Sequence, residues 1–387
     1  MTVNTLIPIA RPWMDEQEAA AARRAILSGW VTQGPEVAAF EREFAGAVGA
    51  PYACAVSSCT TALHVALVAL DVRQGDEVIT VSHSFIATAN AIRYCGAVPV
   101  FVDIELATLN IDPSAVEAAI GPKTKAILAV HQLGMPCDLS ALTKVAARHS
   151  LPLIEDAACA IGSEIEWQGR WERIGTPRGD ICCFSFHPRK LLSTGDGGML
   201  TTRNEEFDRT FRLLRQHGMT VPDVVRHQSN QVIFEEYAVA GFNYRMTDIQ
   251  AAIGREQLKR LPAIVARRRE LARRYEMRLA AVDGVVVPRE PQWARSNWQS
   301  YAVRIGAWID QRTFMQRMLD AGIATRRGVM NAHRERAYPA ETWRAGGGLS
   351  RSEEAQDTTV VLPLYHQLTE EDQDRVVDTI DSVIRDL

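Results

Sequence analysis

Between residues 52 and 202 the chain alternates short apolar runs with stretches whose apolar positions recur at helical spacing. The runs fall at 52–56, 77–82, 98–104, 126–131, 151–156, 181–186 and 198–202. Most are continuously apolar and β-rich rather than alternating with polar residues. Strands covered by helices on both faces of a mainly parallel sheet have this pattern. Helical spacing at 60–70, 113–119 and 139–149 lies between the runs. An α/β layered domain follows, with its ligand expected beyond the carboxyl ends of the strands.

The pattern changes after about residue 254. Residues 256–279 read as one long helix, interrupted early by Pro262. Strand-like stretches at 285–287 and 300–305, a helix near 312–321 and a final helix over 370–385 make up a smaller α+β unit. The expected organisation is a large domain over 1–254 and a small C-terminal domain over 255–387.

Composition narrows the function classes. A chain of 387 residues exceeds one typical core. Its 47% hydrophobic and 23% charged residues are ordinary for a globular protein. A net charge of -4 gives no reason to expect nucleic acid or an anionic membrane as partner. No apolar run is long enough to cross a bilayer, and residues 1–10 lack the basic and apolar regions of a secretory signal. The seven cysteines include no C-x-x-C pair, which suggests reduced thiols in a cytoplasm. With the nine histidines they show no zinc-like spacing, so no metal is expected. The basic stretch around Arg267, Arg268 and Arg269 is interspersed with Glu256, Glu270 and Glu276, and reads as a solvated helix face.

The chemistry lies at two strand ends. One run closes in Glu155-Asp156-Ala157-Ala158; another leads through His187-Pro188-Arg189 to Lys190, ahead of the turn Thr194-Gly195-Asp196-Gly197-Gly198. Pyridoxal phosphate needs an amine to form a Schiff base with its aldehyde and a carboxylate to keep its pyridine nitrogen protonated. Alone, Lys190 reads as a surface cation and Asp156 as a helix cap. Together at one sheet edge they favour the functional reading. Burial is expected to lower the Lys190 pKa.

Other residues carry two readings each. Ser57-Ser58-Cys59-Thr60-Thr61 joins a strand to a helix, where N–H groups bind phosphate or are simply capped. Ser185 offers a phosphate contact or fills a crowded strand. Phe85 lies on a pyridine ring or belongs to the core. Asn243 and Arg245, ahead of another helix, serve either as anion contacts or in capping. His333, in the smaller unit, carries little by itself.

Taken together, these residues resemble the DegT/StrS group of sugar aminotransferases, members of the fold type I pyridoxal-phosphate enzymes. The likeness runs over almost the whole length. It is carried by Cys59-Thr60-Thr61-Ala62-Leu63-His64, by Val130-His131-Gln132-Leu133-Gly134 with Pro136-Cys137-Asp138, and by Ile154-Glu155-Asp156-Ala157-Ala158. Residues 184–190, Gly195-Asp196-Gly197-Gly198-Met199 and Asn243-Tyr244-Arg245-Met246 complete the set. The resemblance implies a fold type I aminotransferase, its large domain built on a mainly parallel seven-stranded sheet between helices. It implies that Lys190 forms the internal aldimine and then moves protons, that Asp156 pairs with the pyridine nitrogen, and that Phe85 stacks on the ring. The backbone of Cys59 and Thr60, with the Ser185 hydroxyl, would hold the phosphate. Asn243 would reach the phosphate in the neighbouring subunit of a homodimer, Arg245 and His333 fall in segments that border the substrate, and His187 is either a substrate-side residue or a strand-end filler. One position departs: where the family carries Gln or His near the cofactor's phenolic oxygen, this chain has Cys159, and a thiol is a poor hydrogen-bond partner.

The implied reaction is transamination from Glu or Gln to a keto-sugar, nucleotide-linked, or to a cyclitol ketone. The alternative is dehydration or aromatisation on the same cofactor, as in aminohydroxybenzoate synthases. Sugar dehydrases of the group have His where Lys190 stands, which argues against that branch. A non-catalytic regulatory protein of the same fold would have no need of both Lys190 and Asp156.

Overall fold

The computed structural model describes residues 6–221 and 229–387. All seven apolar runs form strands: β1 (Tyr52–Val56), β2 (Glu77–Val81), β3 (Val98–Val102), β4 (Thr124–Val130), β5 (Leu153–Asp156) and, after a hairpin of β6 (Glu164–Trp167) and β7 (Arg170–Arg173), β8 (Ile181–Ser185) and β9 (Gly198–Thr202). They lie in the order β1-β9-β8-β5-β4-β2-β3. Neighbours from β8 to β3 run parallel, whereas β9 is antiparallel to both β1 and β8. Every residue of β5, β8 and β9 is buried, which explains their unbroken apolar character.

The sheet is one strand wider than the seven expected. Arg344–Ala345, from the C-terminal part of the chain, adds an eighth strand parallel to β3. Two residues, one of them charged, give no period to read.

Helices α1 (Glu16–Ser28), α2 (Pro35–Val48) and α3 (Cys59–Ala69) precede and follow β1. The long helix spans Asp248–Leu279 and so begins before the expected residue 256. Its start is a capping box: Thr247 accepts from the Gln250 N–H, and the Gln250 side chain returns to the Thr247 N–H. Pro262 sits inside without ending it. A proline there costs about 3 kcal/mol, but Leu258, Leu261, Ile264 and Val265 around it are buried in the large core. Each such side chain contributes about 1.5–3 kcal/mol, so burial outweighs the lost backbone bond.

The same helix enters a second core. Leu271, Tyr275 and Leu279 pack with Tyr301, Phe314, Leu362 and Ile380. There a four-stranded antiparallel sheet pairs Val285–Val286, Tyr301–Ile305, Thr359–Leu362 and Arg326–Arg327. Ile7 also belongs to this core, its N–H bonded to Gly322 O at 2.9 Å. The start of the described chain therefore packs with the small lobe.

The basic stretch is mostly solvated and paired, Arg267 with Glu270, and Arg274 and Arg278 with Asp374. Arg268 departs from that expectation. It is buried and donates to the carbonyls of Trp298 and Gln299, each at 3.0 Å, and burial lowers its pKa to about 10.

Candidate active site

A cavity of about 680 Å³ opens at the carboxyl edge of the large sheet. Its floor is built by Asp156 at the end of β5, Ser185 at the end of β8, Lys190 in the turn beyond, and Ser58, Cys59 and Thr60 at the start of α3. Phe85 and Thr88, after β2, form one side. The small lobe closes the other with Gln299, Arg326, Arg327 and Met330, and Ile9 arrives from the start of the chain.

Asp156 is held by the Thr88 hydroxyl and the Ala158 N–H, with the Cys59 thiol donating more weakly to Oδ1 at 4.0 Å. Its Oδ2 accepts from the Thr88 hydroxyl at 2.8 Å and its Oδ1 from the Ala158 N–H at 3.1 Å. The Thr88 hydroxyl lies 2.8 Å from Ser84 Oγ. Burial pushes the Asp156 pKa above the usual carboxylate range, while Thr88, Ala158 and Lys190 pull the other way. Thr88 was not legible as a site residue: in sequence it is one hydroxyl at the start of a helix.

The Lys190 amine donates to Cys159 Sγ at 2.9 Å. Burial pulls its pKa down, but Cys159 and the bond to it, with the nearby Cys59 and Asp156, hold the amine above its ordinary value. The expected lowering is thus reversed, because the amine lies beside sulfur and carboxylate partners rather than among apolar ones.

At the α3 start the capping reading holds. Ser58 Oγ accepts from the Thr61 N–H at 3.1 Å, and Thr61 Oγ1 accepts from the Ser58 N–H at 3.0 Å. A helix start leaves N–H groups without intrahelical acceptors and carries the positive end of the dipole. The N–H groups of Cys59 and Thr60 stand there, at the cavity. Gly198 allows β9 to pass this close: a Cβ on it would lie 2.3 Å from Ser58 O.

Phe85 is 63% exposed, which removes the core reading. His187 lines the cavity and its Nδ1 accepts from the Arg189 N–H at 3.2 Å. Ser185 Oγ accepts from the His187 N–H at 3.4 Å. Behind them, His131 Nδ1 accepts from the Cys137 N–H, so its Nε2 carries the hydrogen and donates to Glu155 at 3.2 Å. Glu155 also takes the N–H groups of Arg178 and Gly179, which braces β5 beside Asp156.

Three of the residues read from the sequence do not line the cavity. His333 is held by Ser82 Oγ at 2.7 Å and Glu353 at 3.2 Å, tying the small lobe to the end of β2. Asn243 and Arg245 bond to each other at 3.2 Å in an exposed segment. That segment runs beside the α3 start, where the Ser57 N–H meets Tyr244 O at 2.8 Å.

An amine, a buried carboxylate and a helix start on one cavity fit pyridoxal phosphate, whose aldehyde, pyridine nitrogen and phosphate need these three partners. On an α/β frame of this kind, they mark a pyridoxal-phosphate-dependent enzyme. Residues 12–381 match the DegT/DnrJ/EryC1/StrS aminotransferase family, and the chain belongs to it. It is 36% identical over 386 residues to the spore coat polysaccharide biosynthesis protein SpsC of Bacillus subtilis, covering 99% of this chain and 98% of that one. The aminotransferase TlmJ of Streptoalloteichus hindustanus superposes with a TM-score of 0.89 at 35% identity, over 98% of this chain and 99% of TlmJ. Spr1654 of Streptococcus pneumoniae, solved in PLP and PMP forms, gives TM-scores of 0.90 and 0.91 at 26% identity, with 98% of this chain and 99% of that one covered. The protein is a pyridoxal-phosphate-dependent aminotransferase.

Proposed function

We propose that this aminotransferase moves an amino group from Glu or Gln to the ketone of a sugar, nucleotide-linked, or of a cyclitol. The convergence of Lys190, Asp156 and the α3 start on one cavity carries the reading. SpsC, by its name a polysaccharide biosynthesis protein, supports a sugar acceptor. Arg189, Arg326 and Arg327 give the cavity a cationic border suited to the phosphates of a nucleotide-linked sugar.

When bound, the cofactor supplies an electron sink for the carbon that carries the amine. Lys190 would hold the cofactor and, when its amine is free, would move the proton at that carbon with Nζ. Asp156 keeps the pyridine nitrogen protonated. The N–H groups of Cys59 and Thr60 and the Ser185 hydroxyl hold the phosphate, and Phe85 covers the ring. His187 and Cys159 border the reacting atoms. His333 positions the loop after β2 rather than touching substrate.

Asn243 and Arg245 serve a second subunit. Val232, Phe234 and Tyr237, on the segment that leads to them, are 85%, 88% and 62% exposed. Apolar surface of this kind marks a contact with another chain. A homodimer with shared sites follows, in which Asn243 completes the neighbour's phosphate seat and Arg245 lies near its substrate. The two lobes divide near residue 254, within the long helix. Seven free cysteines favour a reducing compartment such as the cytoplasm.

Adding glutamate or glutamine to the yellow protein should bleach it as the cofactor takes up nitrogen, and a keto-sugar should restore the colour. Lys190→Ala should still take up pyridoxal phosphate but not turn over. Undiminished transamination by Lys190→Ala, or a protein that takes up no cofactor, would refute the reading.

A further inference from the structure

We infer that Cys159 and Lys190 share a single proton: the Cys159 thiolate is the counter-ion of the Lys190 ammonium and takes that proton when the lysine acts as a base. The inference rests on the function proposed above. In the transfer an N–H bond breaks and an S–H bond forms. Nitrogen keeps its lone pair, and no oxidant, reductant or third reactant enters.

The geometry is direct. Lys190 Nζ donates to Cys159 Sγ at 2.9 Å, and both residues line the cavity. A free thiol is more acidic than a free alkylammonium, about 8.5 against 10.4, so a paired proton rests on nitrogen. A neighbouring cation lowers a thiol's pKa further. Groups this close titrate as a unit, with one proton passing between them. Neighbouring thiols do not compete: Cys59 and Cys183 are buried, and burial pushes both well above the ordinary thiol range.

Other charges surround the pair. Asp156 favours the ammonium form of Lys190. His187, Arg189 and Asp196 line the same floor, Arg326 and Arg327 border the cavity from the small lobe, and His131 is tied to Glu155 behind it. All of these are unchanged in the variants below, so their fields cancel in the comparison.

The test uses the full chain freed of cofactor, alkylated with iodoacetamide at neutral pH, with Cys159 followed by peptide mass spectrometry. Wild type and Lys190→Arg, which keeps the cation, should react at similar rates. Lys190→Met should react about tenfold more slowly or worse. Equal rates in all three proteins, or equal slowing in the Arg and Met variants, overturn the counter-ion assignment. In the loaded enzyme, Cys159→Ser keeps a small polar group that takes no proton near neutral pH. Its kcat should fall about tenfold or more with KM little changed, and an unchanged kcat overturns the proton-accepting role. Uptake of pyridoxal phosphate by wild type, read by colour, separates failure of this inference from failure of the function beneath it.

Discussion

Replacing Thr88 by valine removes one hydroxyl from the site and almost nothing else. Threonine and valine have nearly the same shape, so packing around α4 (Ala87–Tyr94) is kept. What disappears is a 2.8 Å bond from the hydroxyl to Asp156 Oδ2, together with its 2.8 Å bond to Ser84 Oγ. Asp156 is buried, and hydrogen bonds to charged groups contribute about 1.5–3 kcal/mol. Burial already raises the Asp156 pKa, and Thr88 heads the influences that oppose it. Without the hydroxyl that pKa climbs further. A protonated Asp156 no longer offers its charge to the pyridine nitrogen. Cofactor affinity should therefore fall about ten- to a hundredfold. The sign with pH follows: an acid with a raised pKa regains its charge as pH rises, so the deficit should shrink at alkaline pH. The assay is a titration of cofactor-free protein with pyridoxal phosphate, followed by colour at several pH values, with Thr88→Ser as the control that keeps a hydroxyl. Thr88→Val binding within about twofold of wild type at every pH, against the loss expected for a buried carboxylate, would refute the reasoning.

Three further outcomes are expected. Gly198→Ala places a methyl 2.3 Å from Ser58 O; it should cost about 1–3 kcal/mol of stability, seen as a lower Tm, and weaken phosphate binding by displacing the α3 start. Phe85→Ala should leave Tm unchanged because the ring is exposed, yet weaken cofactor binding about fivefold through the lost stack, worth about 1 kcal/mol. His83 is pulled down to about 4 by burial, below its unfolded value of about 6.5. The unfolded chain binds the extra proton between these values, so the contribution is complete above about 6.5 and lost as pH falls toward 4, about 3 kcal/mol in all. Thermal melts across that range should fall more steeply for wild type than for His83→Gln.

Most of what places the site was legible because burial writes itself into sequence. Each strand that ends at the cavity is buried along nearly its whole length, so its apolar run had no polar interruption to hide it. Lys190 and Asp156 follow such runs directly. The β6–β7 hairpin was not legible: Glu164-Ile165-Glu166-Trp167 alternates polar and apolar over only four residues, too short a stretch to stand out. The long helix was placed to start too late because its first turns are marked by a cap at Thr247 rather than by a stripe. The far wall was hidden for another reason. Ile9, Gln299, Arg326 and Met330 come from separate parts of the chain and meet only through tertiary contacts. Thr88 is the clearest case, since its importance lies in one hydrogen bond to a residue far along the chain.

The central claim is that Lys190 is the amine that holds the cofactor. Reducing the yellow protein with borohydride makes that linkage permanent, and peptide mass spectrometry then locates it. The account predicts a phosphopyridoxyl group on Lys190 in wild type and none on any peptide of Lys190→Ala. A label on another lysine, or no covalent label on wild-type protein that has bound pyridoxal phosphate, would contradict it.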